Sequence, residues 1–469
     1  MAFVFYDTET TGIKTSYDQI LQFAAVRTDD QLNELEAFEI RSRLLPDVVP
    51  SPRAMLTNGI TVQQLTDETL PSHYEMVQRI RQRLLAWSPA VFVGYNSIRF
   101  DEHLLRQAFY KTLNPLYLTN ANGNLRSDAM RLIQASSVFA PDAITVPLAE
   151  TGDRVTYRLD QVAPANDIDH EHAHEAMADV RATFHLCRRL LNRAPELWLS
   201  SVGFCRKPAI LDFVVTAPFF CLTDFYGSRP YSCIVSTIGY NVENANEIYV
   251  YNLAVDPQGL AALGDSGLRS RLGQRPKPVR RMRANAVPIL SPVENAPSFA
   301  EGLSLGSAEL QRRENFLQAN AGLRERLIAA SGAIREIPEP SPHIEQQIYD
   351  GFFTNTDDDL MEYFHSIAWE ERLDVVETFE ESRLQEIGFR LIHCERPDLL
   401  DNATRRSHTD RIARNLLGLG GEVPWLTLRE AIREANNLLE QAQGPELGFI
   451  REHRDYLQRR LADAMRSAL

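Results

Sequence analysis

The segment AFVFYDTETTG, residues 2–12, decides how this chain is read. Its first part, AFVFYD, is a short apolar run that ends in acid, the pattern of a buried strand. Asp7 and Glu9 stand two residues apart, and on a strand such residues point to the same face. Two carboxylates held close together repel, and one is forced to keep its proton. A divalent cation removes that penalty, and hard oxygen ligands suit Mg²⁺ or Mn²⁺. A solvated strand end would carry the same Asp-x-Glu, so the pair alone decides nothing.

The neighbouring sequence places that strand in an α/β domain over residues 1–194. ILQFAAVRT (20–28) and NELEAFEIRSRL (33–44) read as further strands, so the chain opens like a meander. The stretch TVQQLTDETLPSHYEMVQRIRQRLLAW (61–87) has helical spacing, and VFVGYN (91–96) is a buried strand. DEHLLRQAFYKTL (101–113) and HEAMADVRATFHLCRRLLNR (174–193) are amphipathic helices. Strands first, then strands alternating with helices, define the class. Over 195–339 short segments (ILDFVV, FFCLTDFYG, SCIVSTIGY, EIYVYNL) read as strands of a small β-barrel-like domain. Pro338–Glu339–Pro340–Ser341–Pro342 reads as a linker, and 343–469 as a helical C-terminal domain.

Composition bounds the possibilities. A chain of 469 residues exceeds what one hydrophobic core usually serves. It contains no apolar run long enough to span a bilayer and opens without a basic leader, so no membrane association is expected and the cytoplasm is the expected compartment. The five cysteines are scattered and form no CxxC pair, which suits reduced thiols. The net charge of −14 runs against nucleic-acid binding. Bound metal neutralises a carboxylate cluster, however, and a groove needs only local positive charge. With only four lysines in the chain, nearly all of that charge is arginine, which contacts phosphate in a planar, bidentate way.

Two more acids and a histidine join the first pair. Asp101 follows the strand VFVGYN and the turn SIRF and opens a helix, where an N-cap is the competing explanation. His174 and Asp179 form H-x4-D, a spacing that is not one helical face. The histidine is therefore offered from the turn before the helix, and Asp179 points inward from the helix itself. His170 and His172 nearby also fit a solvated, histidine-rich turn.

The ordered set resembles the DEDDh exonucleases. FYDTETTG, GYNSIRFDEHLLR and HEAMADVRAT match the three motifs of that family, and MLTNGIT (55–61), with Leu56 and Thr57, matches the segment that packs on the 3′ nucleotide. YNSIRFDE, YRLDQVAPANDID, HEAMADV, PVRRMRANAVPIL and IEQQIYDGFF are similar to bacterial exonuclease I, a likeness that covers nearly the whole chain. The resemblance implies a ribonuclease H-like nuclease domain, an SH3-like β-barrel domain and a helical domain closing a cleft over single-stranded DNA. It implies 3′→5′ release of 5′-mononucleotides by two metal ions, Mg²⁺ or Mn²⁺, with a role in DNA repair and recombination. Asp7, Glu9, Asp101 and Asp179 would hold the metals and His174 would activate the water. Glu9, Leu56, Thr57, Arg106, Arg131 and Arg158 would contact DNA. Docking onto the C-terminal tail of single-stranded DNA-binding protein is also implied, and a monomer is expected. Two departures stand out: Thr8 lies between the first two acids where an aromatic can occur, and Ala217 stands where a basic docking residue is expected. The basic run Arg275–Arg283 fits a DNA or partner patch and equally a solvated loop. The alternatives are a proofreading or RNA-trimming member of the superfamily, or a catalytically silent single-strand DNA-binding protein.

Overall fold

The computed structural model describes residues 1–149, 152, 154–169, 175–332 and 340–468. The chain divides into two compact units. The first comprises Met1–Asn124, Glu171–Arg181 and Pro340–Leu469, and the second comprises Leu125–His170 and Ala182–Glu339. Among the described residues, no helix is long and apolar enough to cross a membrane.

The first unit is built on strands β1 (Ala2–Thr10), β2 (Ile20–Thr28), β3 (Glu34–Arg41) and β4 (Ala90–Gly94), in the order β3-β2-β1-β4. β1 runs antiparallel to β2 and parallel to β4. Its apolar residues are buried from Phe3 to Tyr6, as a strand with neighbours on both sides requires. β3 is largely exposed and carries Glu34, Glu36, Glu39 and Arg41, charges that keep a sheet edge from pairing with another chain.

Helices α1 (Pro52–Asn58), α2 (Val62–Thr66), α3 (His73–Ala86) and α4 (Asp101–Lys111) belong to the same unit. The sequence 61–87 thus forms two helices, not one. Pro71 cannot donate to a continuing helix, and Thr61 and Ser72 each begin a helix with a capping box, to Gln64 and Glu75. α3 turns Val77, Ile80 and Leu84 into a core shared with Val4, Tyr6, Phe23, Phe92, Leu104 and Leu105.

That core does not end with the N-terminal segment. Ile348, Phe364, Val376, Phe379, Leu384 and Ile392, from the chain beyond residue 340, are buried in the same cluster. Polar ties run alongside: Arg372 Nη1 donates to the Tyr74 hydroxyl at 2.8 Å, and His365 Nδ1 lies 3.0 Å from the same hydroxyl. Two buried surfaces far apart in sequence therefore form one hydrophobic body.

The second unit contains β5 (Leu125–Asp128) and a five-stranded sheet of β6 (Phe220–Tyr226), β7 (Arg229–Tyr240), β8 (Glu247–Asn252), β9 (Val279–Arg283) and β10 (Ile289–Ser291). Its order is β10-β6-β7-β8-β9, and every neighbouring pair is antiparallel. The second half of the basic run is thus edge strand β9, with Arg280 paired to Asp224 at 3.1 Å. One expected strand is a helix: ILDFVV lies within Lys207–Thr216. Pro208 at the helix start and the buried pair Ile210 and Val214, four apart, specify a helix that a short apolar run could not reveal.

Candidate active site

β1 presents alternating side chains at its C-terminal end. Asp7 pairs across to Ala24 and Glu9 to Gln22, so both acids project from one face of a strand fixed on each side. On the other side of β1, β4 ends at Gly94, where an added Cβ would lie 3.0 Å from the Tyr6 carbonyl oxygen and 2.5 Å from Ser97 Cβ. Only glycine permits that approach. The chain then turns through Asn96, in the left-handed region, and the short 3₁₀ turn Ser97–Arg99, and enters α4 at Asp101.

Asp101 is not the cap of α4. Phe100 occupies the cap position and Asp101 is the first helical residue, where the helix dipole favours an acid. Its Oδ1 accepts a hydrogen bond from Thr8 Oγ1 at 2.6 Å. The fourth acid, Asp179, sits in the first turn of the helix Ala176–Arg193.

Asp7, Glu9 and Asp179 each offer a carboxylate oxygen, and these three atoms all lie within 4.8 Å of one another. Asp101, only 4% exposed, stands outside that trio yet close enough to act on it. Burial pushes Asp7 well above the usual carboxylate range, and the charges of Asp101, Asp179 and Glu9 push it further. Burial likewise raises Glu9 to about 9, with Asp179 and Asp101 adding to it and Arg41 opposing. A half-buried group of carboxyls whose ionisation costs so much suits a divalent cation, which hard carboxylate oxygens bind well. The donor set fits a metal.

Three of the four predicted acids thus come together and the fourth is held at their side. His174 lies outside the described residues. Leu56 and Thr57 are on α1: Leu56 packs against the cluster of Ala435, Leu438 and Ile450, and Thr57 is exposed. Arg106 on α4 is engaged internally, 3.5 Å from Glu102 Oε2, 3.1 Å from Asn120 Oδ1, and over the Tyr117 ring. Arg131 and Arg158 belong to the second unit: Arg131 is half-buried on the helix Ala129–Phe139, and Arg158 is exposed and paired with Asp160 at 2.7 Å. Ala217 ends the helix Lys207–Thr216 and packs against that unit's core.

Sequence reasoning missed the residues that hold the acids: Tyr6 and Thr8, alternating with them on β1, and Glu102 beside Asp101. Tyr6 Oη donates to Glu102 Oε1 at 2.8 Å, and Thr119 Oγ1 donates to Glu102 Oε2 at 2.9 Å. The alternation of polar residues along β1 was the available signal. Arg41 also escaped notice, and it pairs with Glu175 at 3.4 Å.

Comparison with known proteins gives two family matches: an exonuclease family over residues 4–187 and the exonuclease I C-terminal domain over 342–460. The chain is 27% identical over 405 residues to exodeoxyribonuclease I of Haemophilus influenzae, covering 83% of this chain and 85% of that protein. It is 28% identical over 423 residues to exodeoxyribonuclease I of Escherichia coli, covering 86% and 87%. The crystal structure of E. coli exonuclease I in complex with a dA16 oligonucleotide superposes with a TM-score of 0.84 at 25% identity, over 98% of this chain and 99% of that one.

Proposed function

We propose, from the premise that the chain belongs to the bacterial exonuclease I family, that it is an exodeoxyribonuclease degrading single-stranded DNA from the 3′ end. The observation that carries this reading is the trio Asp7, Glu9 and Asp179 on a chain whose likeness to exonuclease I extends over nearly its whole length.

In this reading Asp7, Glu9 and Asp179, with Asp101, hold Mg²⁺, two ions per site. When bound, such ions supply positive charge against the charge that develops on the scissile phosphate. Water attacks phosphorus, the bond from phosphorus to the 3′ oxygen breaks, that oxygen takes a proton from solvent to become the new 3′-hydroxyl, and a 5′-mononucleotide leaves. His174 takes the proton from the attacking water at a ring nitrogen. The strand β1 orients Asp7 and Glu9, and Thr8 keeps Asp101 beside them.

Arg131 and Arg158 are assigned to the DNA backbone with Arg106, and Leu56 and Thr57 to the terminal nucleotide. The exposure of Arg158 and Thr57 supports that assignment. The division into a nuclease domain (1–194), an SH3-like domain (195–339) and a helical domain (343–469) belongs to the same proposal, supported by the spans of the two family matches and the antiparallel sheet between them. So do work as a monomer in the cytoplasm, a part in DNA repair and recombination, and docking of an acidic tail of single-stranded DNA-binding protein, to which Ala217 contributes no charge.

The test is a 5′-labelled oligonucleotide offered as single-stranded DNA, duplex DNA and RNA, with Mg²⁺ and with EDTA. We expect Mg²⁺-dependent shortening of single-stranded DNA from its 3′ end. Preference for RNA would move the protein to the trimming branch of the superfamily, and binding without nucleotide release would make it a silent DNA-binding protein.

A further inference from the structure

We infer that Tyr6 and Glu102 form a latch that sets the geometry of the acidic site, with Glu102 as its positioning residue. The inference rests on the reading of the site as a metal centre, and concerns two residues outside its ligand set.

Asp7 lies between Tyr6 and Thr8, and both neighbours reach the start of α4. Tyr6 Oη donates to Glu102 Oε1 at 2.8 Å and Thr8 Oγ1 donates to Asp101 Oδ1 at 2.6 Å. Tyr6 and Thr8, successive side chains on one face of β1, are therefore bonded to two consecutive residues of the helix that carries Asp101. Neither bond is local in sequence: the partners are 96 and 93 residues apart.

Glu102 is 2% exposed, and a buried carboxylate is tolerated only when its lone pairs are met. They are met from three directions. Tyr6 serves one oxygen, while Thr119 at 2.9 Å and Arg106 Nη2 at 3.5 Å serve the other. Arg106 is itself fixed by Asn120 at 3.1 Å and by Tyr117 beneath its guanidinium. Glu102 thus joins β1, the body of α4 and the turn after it at one point. A shift there carries Asp101 away from Asp7, Glu9 and Asp179. Metal ligands work within a few tenths of an ångström, so loosening the latch degrades the site before it degrades the fold.

The test is Mn²⁺ titration of the full-length protein without DNA, by calorimetry or electron paramagnetic resonance, for the wild type, Tyr6→Phe, Glu102→Gln and the double variant. Each substitution is expected to weaken Mn²⁺ on the order of 10–100-fold, as loss of the groups behind metal ligands does. The double variant should be no weaker than the weaker single one, and single-stranded DNA affinity in EDTA should be unchanged in Tyr6→Phe, which leaves the Glu102–Arg106 pair in place. Tyr6→Phe removes no charge. If it binds Mn²⁺ like the wild type while Glu102→Gln does not, the effect is charge alone and the latch is overturned. Should Glu102→Gln fail to fold, Tyr6→Phe decides. A wild type that binds no Mn²⁺ would instead overturn the metal reading itself.

Discussion

Thr8 Oγ1 lies 2.6 Å from Asp101 Oδ1, so the residue between the first two acids of the site holds the third. A threonine here does what no apolar side chain could: it donates to a carboxylate that is almost wholly buried. Thr8→Val keeps the shape and removes the donor. We expect it to cost about 1.5–3 kcal/mol, the usual worth of a hydrogen bond to a charged group. Urea unfolding in EDTA measures it, and an unchanged midpoint would contradict the role.

Asp7 is buried beside three other acids, so its two substitutions separate stability from chemistry. Asp7→Asn removes a charge that burial and three neighbouring acids penalise. The metal-free protein should melt at a higher temperature, while Mg²⁺-dependent cleavage falls to background. Single-stranded DNA binding in EDTA should persist. Normal turnover in Asp7→Asn or Asp7→Ala would remove Asp7 from the site.

Stability and metal binding should both depend on pH, with a definite sign. Glu9 titrates near its ordinary value, 4.5, in the unfolded chain and at about 9 in the folded one. Between those values the folded protein holds a proton that the unfolded chain has lost. The metal-free protein should therefore lose stability as pH rises through that window, and the elevated Asp7 acts in the same direction. Metal binding there must release protons. Calorimetry in buffers of different ionisation enthalpy should show that release, and the Mg²⁺-induced gain in melting temperature should be larger at alkaline than at mildly acidic pH. A gain independent of pH would show that these carboxyls are not the ligands.

His174→Ala is expected to slow single-turnover cleavage by on the order of 10²–10⁴, the range for loss of a general base. Mn²⁺ affinity should stay at the wild-type level. Weakened Mn²⁺ binding with little change in rate would make His174 a support for the metal site, not the base.

Arg158→Ala and Arg131→Ala should each lower the slope of log affinity against log salt by about 0.7, the counterion release expected of one phosphate contact on a single strand. A changed affinity with an unchanged slope would indicate a structural effect.

The legible parts of this molecule were those written in short-range periodicity. The alternation of Asp7 and Glu9 placed both on one face of β1, and the apolar run before them gave the buried strand. Where two periodicities compete over a few residues the sequence misled, as at ILDFVV, whose helix is declared only by the spacing of Ile210 and Val214. The single helical reading of 61–87 overlooked a second capping box at Ser72. For Asp101 a cap was the competing explanation; its bond from Thr8 could not be read, because hydrogen bonds across 93 residues leave no local trace. Tyr6–Glu102 was invisible for the same reason. His174 lies outside the described residues.

The cluster that binds Val4, Phe23 and Phe92 to Phe364, Phe379 and Ile392 also bears on the order of synthesis. A ribosome delivers β1 well before the helices beyond residue 340. At roughly 5–20 residues per second, the strand carrying the acids waits tens of seconds for the second half of its core. During that interval Asp7 and Glu9 are already in the chain but the core behind their strand is incomplete. A polypeptide truncated before residue 340 would lack Ile348, Phe364, Val376, Phe379, Leu384 and Ile392 and so leave open the core behind the strand of Asp7 and Glu9.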